Sequence, residues 1–194
     1  AGLPVSEPSG NMIVNIGGGT SEVAVVSMNG MVVSGSVRVA GNKIDEAIGQ
    51  YIRRKFSLLI GDKTAENVKK NIGSAFPLLT EETMEVKGRD SVTGLPKTVV
   101  INSTEISQAI QMPLMQIVAT VKNVLEQTPP ELASDIIDKG LVMSGGSSLL
   151  RNLDKFIMQH TSVPVHVTDE PLLCVVRGVS SALDNLYLFN KSLT

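Results

Sequence analysis

The sequence predicts an α/β fold in which a mixed β-sheet with flanking helices is interrupted by a small α+β insertion. Apolar, β-branched runs separated by glycine turns fill residues 12–37, as in adjacent antiparallel strands. Strand and helix patterns alternate again in the last third of the chain. A hairpin pattern between two helices lies between these parts. We therefore predict a core of residues 11–57 and 128–194, an insertion at 58–127 and an irregular connector at 1–10.

The sequence Gly17-Gly18-Gly19-Thr20 separates the first two predicted strands. Glycine weakens a strand and has no side chain to pack, so three in succession need another explanation. Without Cβ atoms, successive backbone N–H groups can approach an anion closely and form a phosphate-binding nest, with the Thr20 hydroxyl at its edge. A glycine-rich hairpin that binds no ligand is the alternative.

A second hairpin and an amphipathic helix follow. Asn29-Gly30 lies between apolar runs at 22–27 and 31–37, which predicts a type I′ turn. Asn42 is the predicted N-cap of the helix. The apolar side chains of this helix recur every three or four residues and predict one buried face: Ile44, Ala47, Ile48, Tyr51, Ile52 and Phe56.

Within the insertion, Gly61 is predicted to end the segment that follows the first helix. A short helix is predicted between an N-cap at Thr64 and a stop at Gly73. Alternating apolar residues at 83–87 and 97–101 then predict a hairpin.

A long helix completes the insertion. Asn102 opens it, and Glu105 is placed for a capping interaction. Pro113 lies inside the apolar stripe and predicts a kink, because proline lacks an N–H and its ring clashes with the preceding turn. Pro129-Pro130 ends this part of the chain.

The last third returns to alternating elements. Strands are predicted at 140–144 and 163–167, and helices at 149–160 and 172–186. Gly145-Gly146-Ser147 joins a strand to a helix N-terminus, where unpaired N–H groups and a partial positive charge favour phosphates and polar ligand edges. A plain connection between strand and helix is the alternative.

Three charged residues on the short helix have two interpretations. Glu66, Lys69 and Lys70 lie three and four residues apart. They form either a solvent-side ion pair, which contributes roughly 0.2–0.5 kcal/mol, or a polar clamp for a nucleoside. The spacing does not distinguish these alternatives.

Composition excludes several classes of function. The net charge is −2 and no basic tract is present, which argues against nucleic-acid binding. No apolar run approaches the ~20 residues of a membrane span. The single cysteine, Cys174, lies among leucines and valines and is predicted to pack rather than react. Neither a Walker-type loop nor a zinc-ligand pattern occurs. These features are typical of a soluble, cytoplasmic protein.

Taken together, the motifs resemble the actin, heat-shock chaperone and sugar kinase superfamily, whose core is a ribonuclease H-like domain. The resemblance rests on Ile-Val-Asn-Ile-Gly-Gly-Gly-Thr at 13–20, Thr-Ala-Glu-x-x-Lys at 64–69 and Gly-Gly-x-x-Leu-Leu at 145–150. Within the superfamily the sequence resembles the MreB family of bacterial actin-like rod-shape proteins. Asp-Glu-Ala-Ile at 45–48 and Cys-Val-Val-Arg-Gly at 174–178 are similar to segments of that family.

The resemblance implies an ATP site with Mg²⁺. Gly17, Gly18, Gly19 and Thr20 would form the second phosphate loop, and Thr20 would position the attacking water. The resemblance also implies the other binding residues: Glu66 and Lys69, with Lys70 beside them, for the nucleoside, and Gly145 and Gly146, with Ser147 beside them, for the adenine side.

One departure from the family pattern concerns the metal. Family members usually carry aspartate at the position of Asn15, where the strand end faces the magnesium ion and its waters. An amide keeps an acceptor oxygen but loses the charge that strengthens such contacts. We therefore expect weakened metal binding and slow hydrolysis, with nucleotide binding less affected. Asn42 also replaces a usual aspartate, with a nearly neutral effect expected at a helix cap.

The resemblance further implies that the chain is the C-terminal half of such a protein. The first phosphate loop, the catalytic glutamate and the membrane-inserting elements would belong to the missing half, so residues 1–10 would connect to it. We expect the chain alone to bind ATP weakly and not to hydrolyse it.

The complete protein would polymerise with ATP into filaments at the inner face of the cell membrane, beside inner-membrane shape and wall-synthesis proteins. The membrane surface would be contacted through the missing half. Two alternatives are a nucleotide-binding filament scaffold that does not hydrolyse ATP, and a sugar or acetate kinase of the same superfamily. A kinase needs a substrate-binding insert and a catalytic aspartate, and the short insertion shows no obvious candidate for either.

Overall fold

The computed structural model describes residues 1–184. The strands in this range are β1 Asn11–Ile16, β2 Ser21–Ser27, β3 Gly30–Val37, β4 Leu58–Leu59, β5 Thr83–Asp90, β6 Pro96–Asn102, β7 Leu141–Ser144 and β8 Val165–Val167. The helices are α1 Gly41–Phe56, α2 Asp62–Ile72, α3 Ser103–Ala109, α4 Gln111–Gln127, α5 Pro130–Lys139, α6 Leu153–Thr161 and α7 Cys174–Asp184, with a 3₁₀ turn at Gly146–Leu149.

The larger sheet has the strand order β3-β2-β1-β7-β8. Strands β1, β2 and β3 pair antiparallel, which confirms the prediction of three adjacent antiparallel strands. Strand β7 pairs parallel to β1, with Asn15 opposite Ser144. The carboxyl ends of β1 and β7 therefore meet, and the two glycine turns that follow them lie side by side.

The smaller sheet, β4-β5-β6, is antiparallel. Its β5–β6 hairpin confirms the predicted one, but β4 was not predicted. Helix α1 ends at Phe56, because Ser57 adopts the left-handed conformation, and Leu58–Leu59 then pair with β5. Gly61, the expected end of that segment, therefore lies five residues after the last helical residue.

One apolar core extends under both sheets. The predicted inner face of α1 is confirmed at Ile44, Ile48 and Ile52, which are fully buried. Helix α4 contributes a second fully buried stripe: Leu114, Ile117, Val118 and Val121.

The predicted cap at Asn42 is wrong. Helix α1 begins one residue earlier, at Gly41, with Ala40 as its N-cap. The N–H groups of Gly41 and Asn42 donate to the carbonyl oxygens of Gly17 and Gly18, at 3.1 and 2.8 Å, so no side-chain cap is needed.

The cap predicted at Thr64 is also wrong, whereas the one at Asn102 is confirmed. Thr64 is the third residue of α2, and the extended Gly61 takes the cap position, its carbonyl accepting from the N–H of Thr64 at 2.9 Å. The Asn102 side chain accepts from the N–H of Glu105 at 2.9 Å.

The β2–β3 turn lies one residue earlier than predicted. Its two central residues are Met28 and Asn29, with φ of 50° and 59°, as a type I′ turn requires. An irregularity between Val25 and Val26 also shifts the register of the two strands.

The expected kink near Pro113 is confirmed as a break at Ile110 between α3 and α4. Helix α5 was not predicted: Pro130 is its first residue, a position where the missing N–H is harmless.

The helix expected at 149–160 starts only at Leu153, after the 3₁₀ turn. The helix expected at 172–186 is α7, and residues 185 and 186 lie outside the described residues.

Cys174 does not pack as predicted. It is half-buried, with its Sγ 3.0 Å from the Thr168 hydroxyl, and its neighbours Val175 and Val176 are exposed. Among residues 1–184, no helix has both the length and the hydropathy to cross a bilayer.

Two glycines allow a matched test of the packing. A Cβ at Gly88 in β5 would clash with the carbonyl oxygen of Leu59 in β4, whereas one at Gly49 in α1 meets nothing within 4 Å. We expect Gly88→Ala to lower the free energy of unfolding by about 1–3 kcal/mol and Gly49→Ala to raise it by about 0.5–1 kcal/mol. Chemical denaturation measures both. Equal effects would contradict the β4–β5 packing.

Candidate functional site

The turn after β1 has an open outer face. Gly17 closes the turn by donating to the Thr20 carbonyl at 3.0 Å. A Cβ on Gly19 would meet nothing within 4 Å, and one on Gly18 only the Asn42 Oδ1 at 3.5 Å. Within residues 1–184, the N–H groups of Gly18 and Gly19 donate no hydrogen bond. Folding therefore does not require glycine here, whereas close approach of an anion does.

Three segments meet at this turn. Besides the α1 contacts, the Gly17 carbonyl accepts from the Ser147 hydroxyl at 2.7 Å. Gly41 must be small, because a Cβ there would lie 2.6 Å from the Ser147 Oγ and 3.3 Å from the Lys69 Nζ. The first glycine turn, the start of α1 and the 3₁₀ turn are thus held as one unit.

The second glycine turn uses its two glycines differently. Gly145 has a φ of 87°, and a Cβ there would clash with the carbonyl oxygen of Ile16, so it serves the packing of β7 against β1. Gly146 and Ser147 line the adjacent cleft. The turn leads into a four-residue 3₁₀ turn rather than a helix N-terminus, which corrects the basis of that prediction.

These elements enclose a cleft of about 780 Å³ together with α2. The predicted site residues on its wall are Gly17, Gly18, Glu66, Lys69, Lys70, Gly146 and Ser147. Gly19 and Thr20 belong to the turn beside it, and Gly145 packs against Ile16 and is not among the residues that line it. Asp45, Asn42 and Arg151 also line the cleft and were not predicted as site residues.

The charged residues of α2 divide into two kinds. Glu66 and Lys70 form an exposed ion pair at 2.6 Å, which lowers the pKa of the Glu66 carboxyl. Lys69 points inward: its Nζ lies 2.8 Å from the Asp45 Oδ2 and 3.3 Å from the Gly41 carbonyl oxygen. The solvent-side ion pair raised by the sequence is thus present between Glu66 and Lys70, whereas Lys69 has a different partner, Asp45.

Asp45 had a detectable signal in the sequence. It lies three residues before Ile48 and therefore at the edge of the buried face of α1, where a carboxylate needs a partner. Its burial raises the pKa of the carboxyl, and the Lys69 ammonium opposes that rise.

Asn15 lies at the ends of β1 and β7, outside the cleft wall. Its Oδ1 accepts from the Ser144 hydroxyl at 3.2 Å, and its Nδ2 donates to the Glu22 Oε2 at 3.3 Å. The Thr20 hydroxyl donates to the other oxygen of Glu22, also at 3.3 Å. Glu22 is a polar residue of this cluster that the sequence analysis missed.

This cluster does not form a Mg²⁺ site by itself. It contains one carboxylate, and the Asn15 oxygen already accepts a hydrogen bond. The described residues contain no group of three or more His, Cys, Asp or Glu side chains that could hold a metal ion. The cleft has groups that fit a nucleotide, since Gly18, whose amide is unused within residues 1–184, lines it together with Lys69, Lys70 and Gly146.

A sequence model of the family described as MreB/Mbl protein matches residues 1–191. The chain belongs to the MreB/Mbl family. Cell shape-determining protein MreB of Escherichia coli (strain K12) is 53% identical over 184 residues, which are 95% of this chain and 53% of that protein. Cell shape-determining protein Mbl of Bacillus subtilis (strain 168) is 45% identical over 186 residues, 96% of this chain and 56% of that protein.

Solved structures agree with the family match. The crystal structure of MreB5 of Spiroplasma citri bound to ADP has a TM-score of 0.89 and 40% identity, covering 99% of this chain and 56% of that one. A structure of MreB5 bound to AMPPNP matches equally well. The predicted actin-like α/β fold is confirmed. This MreB/Mbl chain spans about half the length of the curated relatives it matches.

The hydrogen bonds among Asn15, Thr20, Glu22 and Ser144, here called the Asn15 cluster, predict the effect of placing aspartate at position 15. Asn15→Asp replaces the amide donor to Glu22 with a second carboxylate, so like charges raise both pKa values. A raised carboxyl pKa in the folded state means that stability is lost as the pH rises through it. We expect the variant's Tm, relative to the parent, to be lower at pH 7 than at pH 5, and Mg²⁺ to raise it at pH 7.

Asn29→Asp, in the exposed β2–β3 turn, is the matched control and should show neither effect. Thermal unfolding with and without Mg²⁺ measures all three proteins. A variant that matches the parent at both pH values and ignores Mg²⁺ would contradict the cluster geometry.

Proposed function

We propose that this chain forms one wall of an adenine-nucleotide cleft in an actin-like cytoskeletal protein that polymerises with ATP and determines rod cell shape. The observation that carries the proposal is the first glycine turn, whose Gly18 and Gly19 amides are unused in residues 1–184. They lie beside a cleft that Lys69 and Lys70 also line. Phosphate oxygens satisfy such amides, and ammonium groups neutralise their charge.

The residues would divide the ligand between them. The amides of the glycine turn bind phosphate oxygens, with the Thr20 hydroxyl beside them. Helix α2 holds the nucleoside through Glu66, Lys69 and Lys70, while Gly146 and Ser147 contact its adenine side. Bound ATP supplies the phosphoryl group for transfer to water, and the residues of this chain bind and orient it.

Relatives support this assignment. The MreB5 structures are described as bound to ADP and AMPPNP, and the bacterial relatives as cell shape-determining proteins. The family match covers nearly the whole chain, so the sugar or acetate kinase alternative is set aside. Mg²⁺, the membrane surface, and shape and wall-synthesis partners belong to the proposal for the longer protein, as does a cytoplasmic position at the inner face of the membrane.

The domain division also belongs to the proposal. A core of 11–57 and 128–194 would hold the five-stranded sheet, and an insertion at 58–127 would hold the smaller one. The connector, 1–10, would join the other half, and its own contacts support a fixed position. The Val5 and Glu7 carbonyls accept from the N–H groups of Asn29 and Met28 at 2.7 and 3.1 Å.

A filament scaffold that binds nucleotide without hydrolysing it is the second candidate. The observation in its favour is the Asn15 cluster, which has one carboxylate where a metal-binding site needs more charge. Nucleotide-dependent sedimentation of the longer protein, with phosphate release measured in the same samples, distinguishes the two. Filaments without phosphate release would favour the scaffold.

Gly19 tests the cleft without disturbing the fold. Because a Cβ at Gly19 meets nothing within 4 Å, Gly19→Val should change the Tm by less than about 2 °C. It should weaken ATP and ADP binding at least about tenfold, since the new side chain occupies the space of a phosphate. Isothermal titration of the 194-residue chain measures affinity, with Gly49→Val as the matched control. Unchanged affinity would contradict the phosphate assignment.

The isolated chain should not hydrolyse ATP. It contributes one wall of the cleft, whereas phosphoryl transfer needs groups placed around the whole reacting centre. Phosphate release from purified chain should equal the buffer blank. A rate that scales with chain concentration, and disappears in Gly19→Val, would overturn this expectation.

A further inference from the structure

Asp45 is a buried carboxylate with an incomplete set of partners. Its Oδ2 lies 2.8 Å from the Lys69 Nζ, but its Oδ1 is buried and has no hydrogen-bond partner among the described residues. The side chains of both Asp45 and Lys69 are only 13% exposed. The pair joins α1 to α2, and both residues line the cleft.

Stability does not account for this pair. Removing two charges from water carries a desolvation penalty that their attraction often fails to repay, and an unpaired carboxylate oxygen adds to it. The raised pKa of Asp45 has the same cause. Replacing such a buried pair by well-packed apolar residues is often neutral or stabilising. What the ion pair does provide is a defined position for one ammonium group.

The donors of Lys69 show what that position serves. An ammonium group has three N–H donors. One is directed to the Asp45 Oδ2 and one to the Gly41 carbonyl, and within residues 1–184 the third has no acceptor. Lys69 also lines the cleft, so the third donor is the one available to a ligand.

We propose that Asp45 is a positioning residue that holds the Lys69 ammonium so that its remaining N–H donates to a sugar hydroxyl of the bound nucleotide. This inference rests on the proposed function. Asp45 itself does not bind the ligand in this arrangement, because its Oδ2 contacts the Lys69 Nζ and its Oδ1 is buried.

The same contact connects the sugar side of the cleft to the phosphate side. Lys69 donates to the Gly41 carbonyl, and the Gly41 N–H donates to the Gly17 carbonyl in the phosphate-binding turn. With Asp45 as its anchor, Lys69 therefore keeps α2 at a fixed distance from the glycine turn. Lys70, which pairs with Glu66 in solvent, has no such anchor.

The test compares ATP with 2′,3′-dideoxy-ATP, which lacks both sugar hydroxyls. Isothermal titration of the 194-residue chain gives both affinities for the parent, Asp45→Asn, Lys69→Met and the double variant. We expect each single variant to weaken ATP binding about tenfold and dideoxy-ATP binding less than twofold, as for one lost charge-assisted hydrogen bond. The double variant should lose no more than either single one, because both act through one contact.

Glu46→Gln is the matched control. Glu46 follows Asp45 on α1 and pairs with Lys43 at 2.6 Å, but in solvent. This variant should keep the parent's preference for ATP. Should Asp45→Asn fail to fold, the double variant removes the charged pair as a unit and keeps the test decisive.

Each outcome decides between distinct conclusions. If Asp45→Asn keeps the preference for ATP while Lys69→Met loses it, the inference is wrong and the proposed function stands. Equal weakening for both nucleotides, with a lowered Tm, would mean that Asp45 has a structural role only. If the parent chain binds neither nucleotide, the proposed function fails and this inference fails with it.

Discussion

The carbonyl groups of Gly17 and Gly18 are the contacts on which the arrangement of the site depends. They accept the first two N–H groups of α1, and the Gly17 carbonyl also accepts the Ser147 hydroxyl. One short turn thus caps a helix and anchors the segment after β7. Its carbonyls are used within the fold, while the N–H groups of Gly18 and Gly19 donate no hydrogen bond within residues 1–184.

The polar groups around the cleft are arranged by depth. The Glu66–Lys70 pair lies in solvent, where an ion pair contributes little and the side chains can rearrange around a ligand. The Asp45–Lys69 pair is only 13% exposed, so desolvation makes its rearrangement unfavourable. An exposed, adaptable pair together with a fixed one suits the proposed nucleotide site.

The sequence predicted the regular elements well where local patterns decide them. The buried stripe of α1, the β5–β6 hairpin and the cap at Asn102 follow from side-chain periodicity and short-range hydrogen bonds. Elements that depend on distant partners were missed or misplaced. Strand β4 has only two residues and is defined by its pairing with β5. Helix α1 needs no capping side chain at Ala40, because carbonyl groups of the glycine turn accept from its first N–H groups.

The same division applies to the site. The sequence by itself determined the glycine turn, the charged face of α2 and the family to which the chain belongs, since these depend on residues that are close in the chain. Only the tertiary structure decided that Lys69 pairs with Asp45, that Gly145 serves packing and that Glu22 joins Asn15. The physical reason is that the direction and partner of a polar side chain are set by burial and by residues far away in sequence, which local spacing does not encode.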